Sequence, residues 1–325
     1  MNKAQLVRRF VQAMTFVVPA APVAAQSYPS HAIRLIVPFP AGQSADLHAR
    51  MIADNLAKSL GQQVVVDNKG GASGMIGAEL AARAAPDGYT IVYASSGPFG
   101  INPAIFPKLS YDPVRDFAAI SQVAYQAQVM VVAPAAPAAT VQDMVALVKS
   151  KQGGFNYASS GSGTTNHLTM EMLRARLGLD LHHVPYKGGP PALVDTMAGS
   201  ILVMFDTITA ILPHVKGGRL RALAVSTAQR SEALPNVPTV AESVAPGFEV
   251  TGWGGLAAPA KTPPLIVRLL HAEVVKFLAR PEVKKHLADM GQTAVGDTPE
   301  QFGAFIQSEV AKWTRVARDS GAKAD

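Results

Sequence analysis

Residues 33–60 read IRLIVPFPAGQSADLHARMIADNLAKSL. Ile33 to Val37 is a short aliphatic run stopped by Pro38 and Pro40, which predicts a buried strand. Leu47, Met51, Ile52, Leu56 and Leu60 then recur at helical spacing, and Gly61 supplies a natural stop. The stretch is therefore a strand, a Gly/Ser loop and a helix. Working outward, Val64 to Val66 predicts a second strand, Asn68 to Gly74 a Gly-rich turn, and Met75 to Ala85 an Ala-rich helix. Pro86-Asp87-Gly88 ends that helix and Tyr89 to Ala94 resumes as a strand.

The alternation returns beyond the middle of the chain. Strands are expected at 129–132, 155–158, 183–186, 201–205 and 222–225, with helices at 141–151, 164–177, 192–198 and 208–216. Repeated strand–helix units imply an α/β protein with doubly wound sheets. Two extended apolar segments, 119–132 and 220–227, fall where one pattern hands over to the next. They predict two lobes joined by two strands: lobe one from 26–124 and 226–325, lobe two from 125–225. A cleft between such lobes is where α/β proteins hold small ligands.

Lys3, Arg8 and Arg9 precede an apolar stretch ending in Val23-Ala24-Ala25, so residues 1–25 read as a secretory signal peptide cut before Gln26. The stretch is shorter than the roughly 20 residues a membrane span needs. Its three basic residues leave +3 of the formal charge of +6, and the other 26 basic residues are scattered. That argues against nucleic acid as a partner, because phosphate binding needs clustered Lys and Arg. The chain has no cysteine. It can hold neither disulfide nor thiolate nucleophile, and it lacks the cysteine a lipid anchor would need after the leader. The expected location is the periplasm.

Three strand-to-helix loops are richer in Gly, Ser and Thr than a connection requires: Phe39-Pro40-Ala41-Gly42-Gln43-Ser44-Ala45-Asp46, Ala94-Ser95-Ser96-Gly97, and 159–167, SSGSGTTNH. Glycines let backbone approach a ligand, hydroxyls donate hydrogen bonds, and a helix N-terminus offers free N–H groups, a chemistry suited to an anion. The plain alternative is that the loops are caps and turns. None carries an arginine; Arg50 and Lys187 lie just beyond. Ser162 and His167 invite comparison with an esterase, but Ser160 occupies the first glycine position of a nucleophile elbow and no motif places an acid. His182 and His183 point to opposite faces of a strand, and His167 with Glu171 makes only two metal ligands. No Walker lysine motif or complete dinucleotide fingerprint is present, so no cofactor is expected.

The ordered motifs VPFPAGQSAD, VVVDNKGGASGMIGAE, APDGYT, NPAIF with YDPVRDF, NYASSGSGTTNHL, HVPYKGGPPALVDTMAGS, VMFDT and LPNVPTVAES resemble the Bug-type receptors of tripartite tricarboxylate transporters, from about Tyr28 to the C-terminus. The resemblance implies a two-lobed type II periplasmic binding fold with a two-strand hinge, no catalysis, and a monomer that captures a small organic carboxylate and docks on a membrane permease. It places ligand contacts at Phe39, Ala41, Gly42, Gln43, Ser44, Ser95, Ser96, Ser160, Gly161, Ser162, Thr165 and His167, with Asp46 closing the first loop. Tyr186 to Gly188 and Asp206-Thr207 match segments that close the pocket. Gln43 departs from the family's usual second glycine and puts any specific ligand in doubt. Asp206 facing an anion leaves three readings: it binds an amino group, accepts from a hydroxyl, or is structural. A sensor module and an exported serine esterase are the competing functions.

Overall fold

A computed structural model describes residues 28–151 and 153–322; the leader assigned to 1–25 lies outside them. In chain order the first half runs β1 (Ile33–Val37), α1 (Ser44–Leu60), β2 (Val64–Asn68), α2 (Met75–Ala82), β3 (Thr90–Ser95), α3 (Asn102–Ile105) and β4 (Phe117–Val132). It continues with α4 (Val141–Ser150), β5 (Phe155–Ser159), α5 (Thr165–Leu177), β6 (Leu181–Pro185), α6 (Gly189–Met197), β7 (Val203–Thr207), α7 (Ile208–Lys216) and β8 (Arg221–Val225). The last part is α8 (Val240–Ser243), β9 (Thr251–Pro259), α9 (Pro264–Leu278), α10 (Pro281–Asp289), β10 (Gln292–Ala294) and α11 (Pro299–Ser320). The elements expected up to 225 are all present, with ends displaced by a few residues.

In the first lobe β2, β1 and β3 are parallel, β9 runs antiparallel to β3, and β4 runs antiparallel to β9. The run at 33–37 is apolar because both faces of this sheet are covered. Ile33, Leu35 and Val37 pack with Ile52 and Leu56 of α1 and Leu270 of α9, while Ile36 turns to the other side against Val92, Phe99 and Phe302. The second lobe repeats the scheme with parallel β6, β5 and β7. There Val129 and Val131 of β4 face Met204, Ile208 and Ile211, and Met130 and Val132 face Tyr157, Leu168 and Phe205.

One connection between the lobes is β4, which is continuous through both. β4 pairs with β9 up to Ala127 and exchanges that partner for β7 and β8 from Gln128 onward. Ser226, fully buried, ties three segments at this waist. Its N–H donates to the Gln128 carbonyl at 2.8 Å, its Oγ accepts from the Gln128 N–H at 2.9 Å and donates to the Val250 carbonyl at 2.5 Å. Between those points Val240, Ala245, Phe248 and Val250 share a core with Met130 and Val132. α11 then crosses both lobes. Phe302 and Ile306 pack in the first, whereas Trp313 and Ala317 pack with the second.

Candidate functional site

The carboxyl ends of β1 and β3 in one lobe and of β5, β6 and β7 in the other face each other across a cavity of about 460 Å³. The parallel strands put every following loop on that side, so the N-termini of α1, α5, α6 and α7 converge there. The lobes touch along the rim. Ser73 Oγ donates to the Ser162 carbonyl at 2.9 Å, and Thr165 Oγ1 donates to Ser96 Oγ at 2.9 Å.

The lining contains no Lys or Arg; its ionisable side chains are Asp206, His48, Tyr93 and Tyr125. Two lining residues present buried polar atoms with no hydrogen-bond partner among the described residues: Ser95 Oγ, and both amide atoms of Gln128. Gln128 is 1% exposed. A buried primary amide with neither its donor nor its acceptor used costs on the order of 1–3 kcal/mol, so the arrangement is explained if a ligand supplies the partners.

Of the sequence-selected residues, Phe39, Gly42, Gln43, Ser44, Ser95, Ser96, Ser160, Thr165, Asp206 and Thr207 line the cavity, Gln43 at its exposed rim. The others stand off it. Ala41 is exposed on the first loop. The Asp46 carboxylate is committed to the Gly42 N–H at 2.8 Å, to Arg50 and to Asn68. Burial works to raise its pKa, but these hydrogen bonds outweigh burial and hold it below the usual carboxylate range. Gly161, at φ 126° where a side chain is strained, lets the third loop turn back so that its carbonyl accepts from Thr164 Oγ1 at 2.6 Å. Tyr186 donates to Asp195 at 2.6 Å, and the Gly188 N–H donates to the Ser160 carbonyl at 3.2 Å. Ser162 meets Ser73 through its carbonyl. His167 stacks on His183 at 3.9 Å and accepts the Gly163 N–H through Nδ1 at 3.2 Å. Neither member of the conceivable esterase pair reaches the cavity.

Several lining residues escaped the sequence reading. His48 Nδ1 meets the Tyr93 hydroxyl at 2.6 Å and its Nε2 meets Gln292 Oε1 at 2.5 Å. Gln292 Nε2 donates to Thr209 Oγ1 at 2.8 Å, which donates to Gln126 Oε1 at 2.8 Å. Because the Gln292 oxygen can only accept, His48 carries its proton on Nε2, and Tyr93 donates to Nδ1. Burial lowers the His48 pKa and keeps the ring neutral. This relay runs from α1 through β10 to α7 and so links the lobes. Trp253 also lines the cavity, and its indole donates to Glu309 at 2.9 Å.

Asp206 is 6% exposed. Burial pushes its carboxyl up to about 6, against a lowering contribution from the Thr207 N–H and Asn166. The sign follows directly. A carboxyl with a raised folded-state pKa binds a proton more readily folded than unfolded. Its contribution to stability is fullest below about pH 4 and is lost as pH rises through about 6. Asp206→Asn is therefore expected to stabilise the ligand-free protein near neutral pH, by up to about 3 kcal/mol, and to leave it nearly unchanged near pH 4. Urea titrations at both pH values check this; equal effects at both would refute it.

Two lobes joined through β4 and the chain that enters β9, with a cavity between them whose walls are built from loops of both, define a solute-binding protein. Residues 48–322 match the tripartite tricarboxylate transporter family receptor, and the chain belongs to that family. BugT of Bordetella pertussis is 37% identical over 305 residues, 94% of either chain. Among solved structures, Rpa4515 of R. palustris with adipate is 32% identical with a TM-score of 0.86, over 92% of this chain and 100% of that one. MatC from Rhodopseudomonas palustris with bound malate is 32% identical with a TM-score of 0.82, over 89% and 99%. The family consists of receptors, and the chain is a substrate-binding protein rather than an enzyme.

Proposed function

We propose that this protein is a periplasmic receptor that captures a small organic carboxylate in the interlobe cavity and delivers it to the permease of a tripartite tricarboxylate transporter. One observation carries the reading: the buried, unpartnered Ser95 hydroxyl and Gln128 amide in a cavity onto which four helix N-termini converge. Amide, hydroxyl and helix-terminal N–H donors can hold a carboxylate without a basic side chain. The acids bound by the two R. palustris proteins support the same ligand class. No helix among the described residues is long and apolar enough to cross a membrane.

The moving units we propose meet at two crossings, β4 at Ala127–Gln128 and the chain at Val250–Thr251, later than the residue 226 that the sequence suggests. Residues 226–250 share the second lobe's core and so travel with it. A ligand contacting both lobes shifts the population toward the closed form, and only differential affinity for that form can do so. The permease would then read the closed form.

A thermal-shift series with adipate, malate and other small acids, each beside its methyl ester, tests the receptor reading. A ligand that binds only folded protein raises Tm by mass action. A shift with at least one acid and none with its ester is expected; no shift with any acid overturns the reading. Gln128→Ala is expected to weaken the active acid about tenfold, the loss of one hydrogen bond to a charged group. It should not lower the ligand-free Tm, because the amide it removes has no partner to lose. Undiminished affinity in that variant would remove Gln128 from the site. Delivery is tested separately, by uptake in cells that express the permease with and without this receptor.

A further inference from the structure

Among the described residues Asp206 is the one carboxylate in the cavity lining, and no Lys or Arg of the lining neutralises it. Its Oδ1 accepts the Thr207 N–H at 2.7 Å, and it forms no ion pair among the described residues. Its Oδ2 lies against Gly189, 2.8 Å from where a Cβ would stand, so the carboxyl is wedged between the loop after β6 and the start of α7. The groups around it are Asn166 of α5, Ser160 of the third loop and the backbone of Gly189. Titratable or charged side chains on the surrounding elements are Tyr157 on β5, His167, Glu171, Arg174 and Arg176 on α5, with Arg174 paired to Glu171, His182 and His183 on β6, and Tyr186 and Lys187 in the next loop. Asp195 of α6 accepts from Tyr186, and His214 and Lys216 sit at the far end of α7. Across the cavity stand His48, kept neutral by burial, with Tyr93 and Tyr125.

A ligand carboxylate entering this space meets a second carboxylate with no basic side chain in the lining to separate the two charges. Two carboxylates brought together where one is already buried cannot both stay ionised at low cost, and sharing a proton relieves the repulsion. We propose that Asp206 takes up one proton from solvent as the ligand carboxylate binds, so that its acid form donates a hydrogen bond to the ligand and capture is linked to proton uptake. This rests on the carboxylate-receptor reading and narrows it. The subsite selects a ligand that presents an oxygen acceptor to Asp206, and it disfavours one that presents an ammonium group, for which the ionised form would serve.

With Asp206 titrating at about 6 in the free protein, the acid form becomes scarce above that pH. Affinity should then fall as pH rises, by as much as about tenfold per unit. The test is isothermal titration calorimetry of the leaderless protein with adipate, malate and the strongest acid of the thermal-shift series. It runs between about pH 6 and about pH 8, where the small dicarboxylates are themselves ionised. Two buffers of different ionisation enthalpy are compared near neutral pH. Expected are a Kd that rises by up to about fiftyfold across that range, and a buffer-dependent heat corresponding to uptake of nearly one proton. Asp206→Asn keeps a neutral donor in the same shape, so its Kd should stay within about twofold over the range and its proton uptake should vanish. A flat wild-type profile, proton release on binding, or an unchanged slope in Asp206→Asn overturns the proposal while leaving the receptor reading intact. So does loss of binding in Asp206→Asn near pH 6. Absence of binding by every acid near pH 6 overturns the receptor reading, and this proposal with it.

Discussion

Gly254→Ala is expected to cost about 3 kcal/mol or more of stability and to abolish the thermal shift produced by the bound acid. Gly254 sits in β9 where that strand is paired on both sides, with Ser95 of β3 and Ala124 of β4, and it lines the cavity. A Cβ at this position would stand 1.9 Å from the Tyr93 hydroxyl oxygen and 2.4 Å from the ring carbon that bears it. The obstacle is a rigid ring, 2% exposed, not the mobile end of a flexible chain. Tyr93 must therefore tilt or β9 must shift. Overpacking of a well-filled interior costs about 1–3 kcal/mol. Displacing Tyr93 also breaks its hydrogen bond to His48 and leaves a buried hydroxyl and imidazole nitrogen unpaired, which adds on the order of 1–3 kcal/mol. The relay through Gln292 to Thr209 starts at that imidazole, so the far lobe loses its link to α1. Urea unfolding together with the thermal-shift assay gives the answer. A variant within about 1 kcal/mol of the parent that still responds to acid would mean that the β3–β9 contact yields easily.

Glu309→Ala is expected to be comparably severe, about 3–5 kcal/mol, the range for removing one partner of a buried charged network. Trp253 and Trp313, the two tryptophans of the chain, both donate to Glu309 Oε2, at 2.9 and 3.0 Å. Lys312 pairs with Oε1, and Glu309 itself is 4% exposed. Truncation removes the acceptor from two buried indole N–H groups and the counter-charge from Lys312 in one step. Because Trp253 lines the cavity and Trp313 packs in the second lobe's core, the loss is felt in the site and across α11 together. Glu309→Gln retains an amide oxygen that can accept and should lose less than half as much. Chemical denaturation followed by tryptophan emission reports on both indoles directly. A loss below about 1 kcal/mol in the alanine variant would show that both indoles find other acceptors.

The two predictions have one origin, side chains far apart in sequence meeting at the seam between lobes. Much of the fold was legible because it depends on local pattern. IRLIV announces a strand covered on both faces, and the spacing of Leu47, Met51, Ile52 and Leu56 announces a helix laid on it, with Ile52 and Leu56 in the core. The three Gly/Ser/Thr-rich loops all face the cavity, since parallel strands send every following loop to one side. Ten of the seventeen residues that the family resemblance singled out line the cavity. Of the other seven, Ala41, Asp46, Gly161, Ser162 and His167 belong to those loops or the helix starts after them, and Tyr186 and Gly188 to the connection after β6. Which side of a loop faces inward depends on positive-φ turns such as Gly161 and on competing partners such as Arg50 for Asp46. Composition does not encode those choices.

What the sequence by itself determined is the alternation of strand and helix and the Gly/Ser/Thr character of the loops after the parallel strands, because each follows from periodicity or residue type within about twenty neighbouring positions. Tertiary structure alone decided that His48 meets Gln292, 244 positions away, and that Gln128 in an apolar-looking strand has no partner for its amide. It also decided that Asp206 is buried with no Lys or Arg among the described residues of the cavity lining. Desolvation and hydrogen-bond satisfaction are properties of everything that surrounds a group in space, and only the closed seam between the lobes brings those surroundings together.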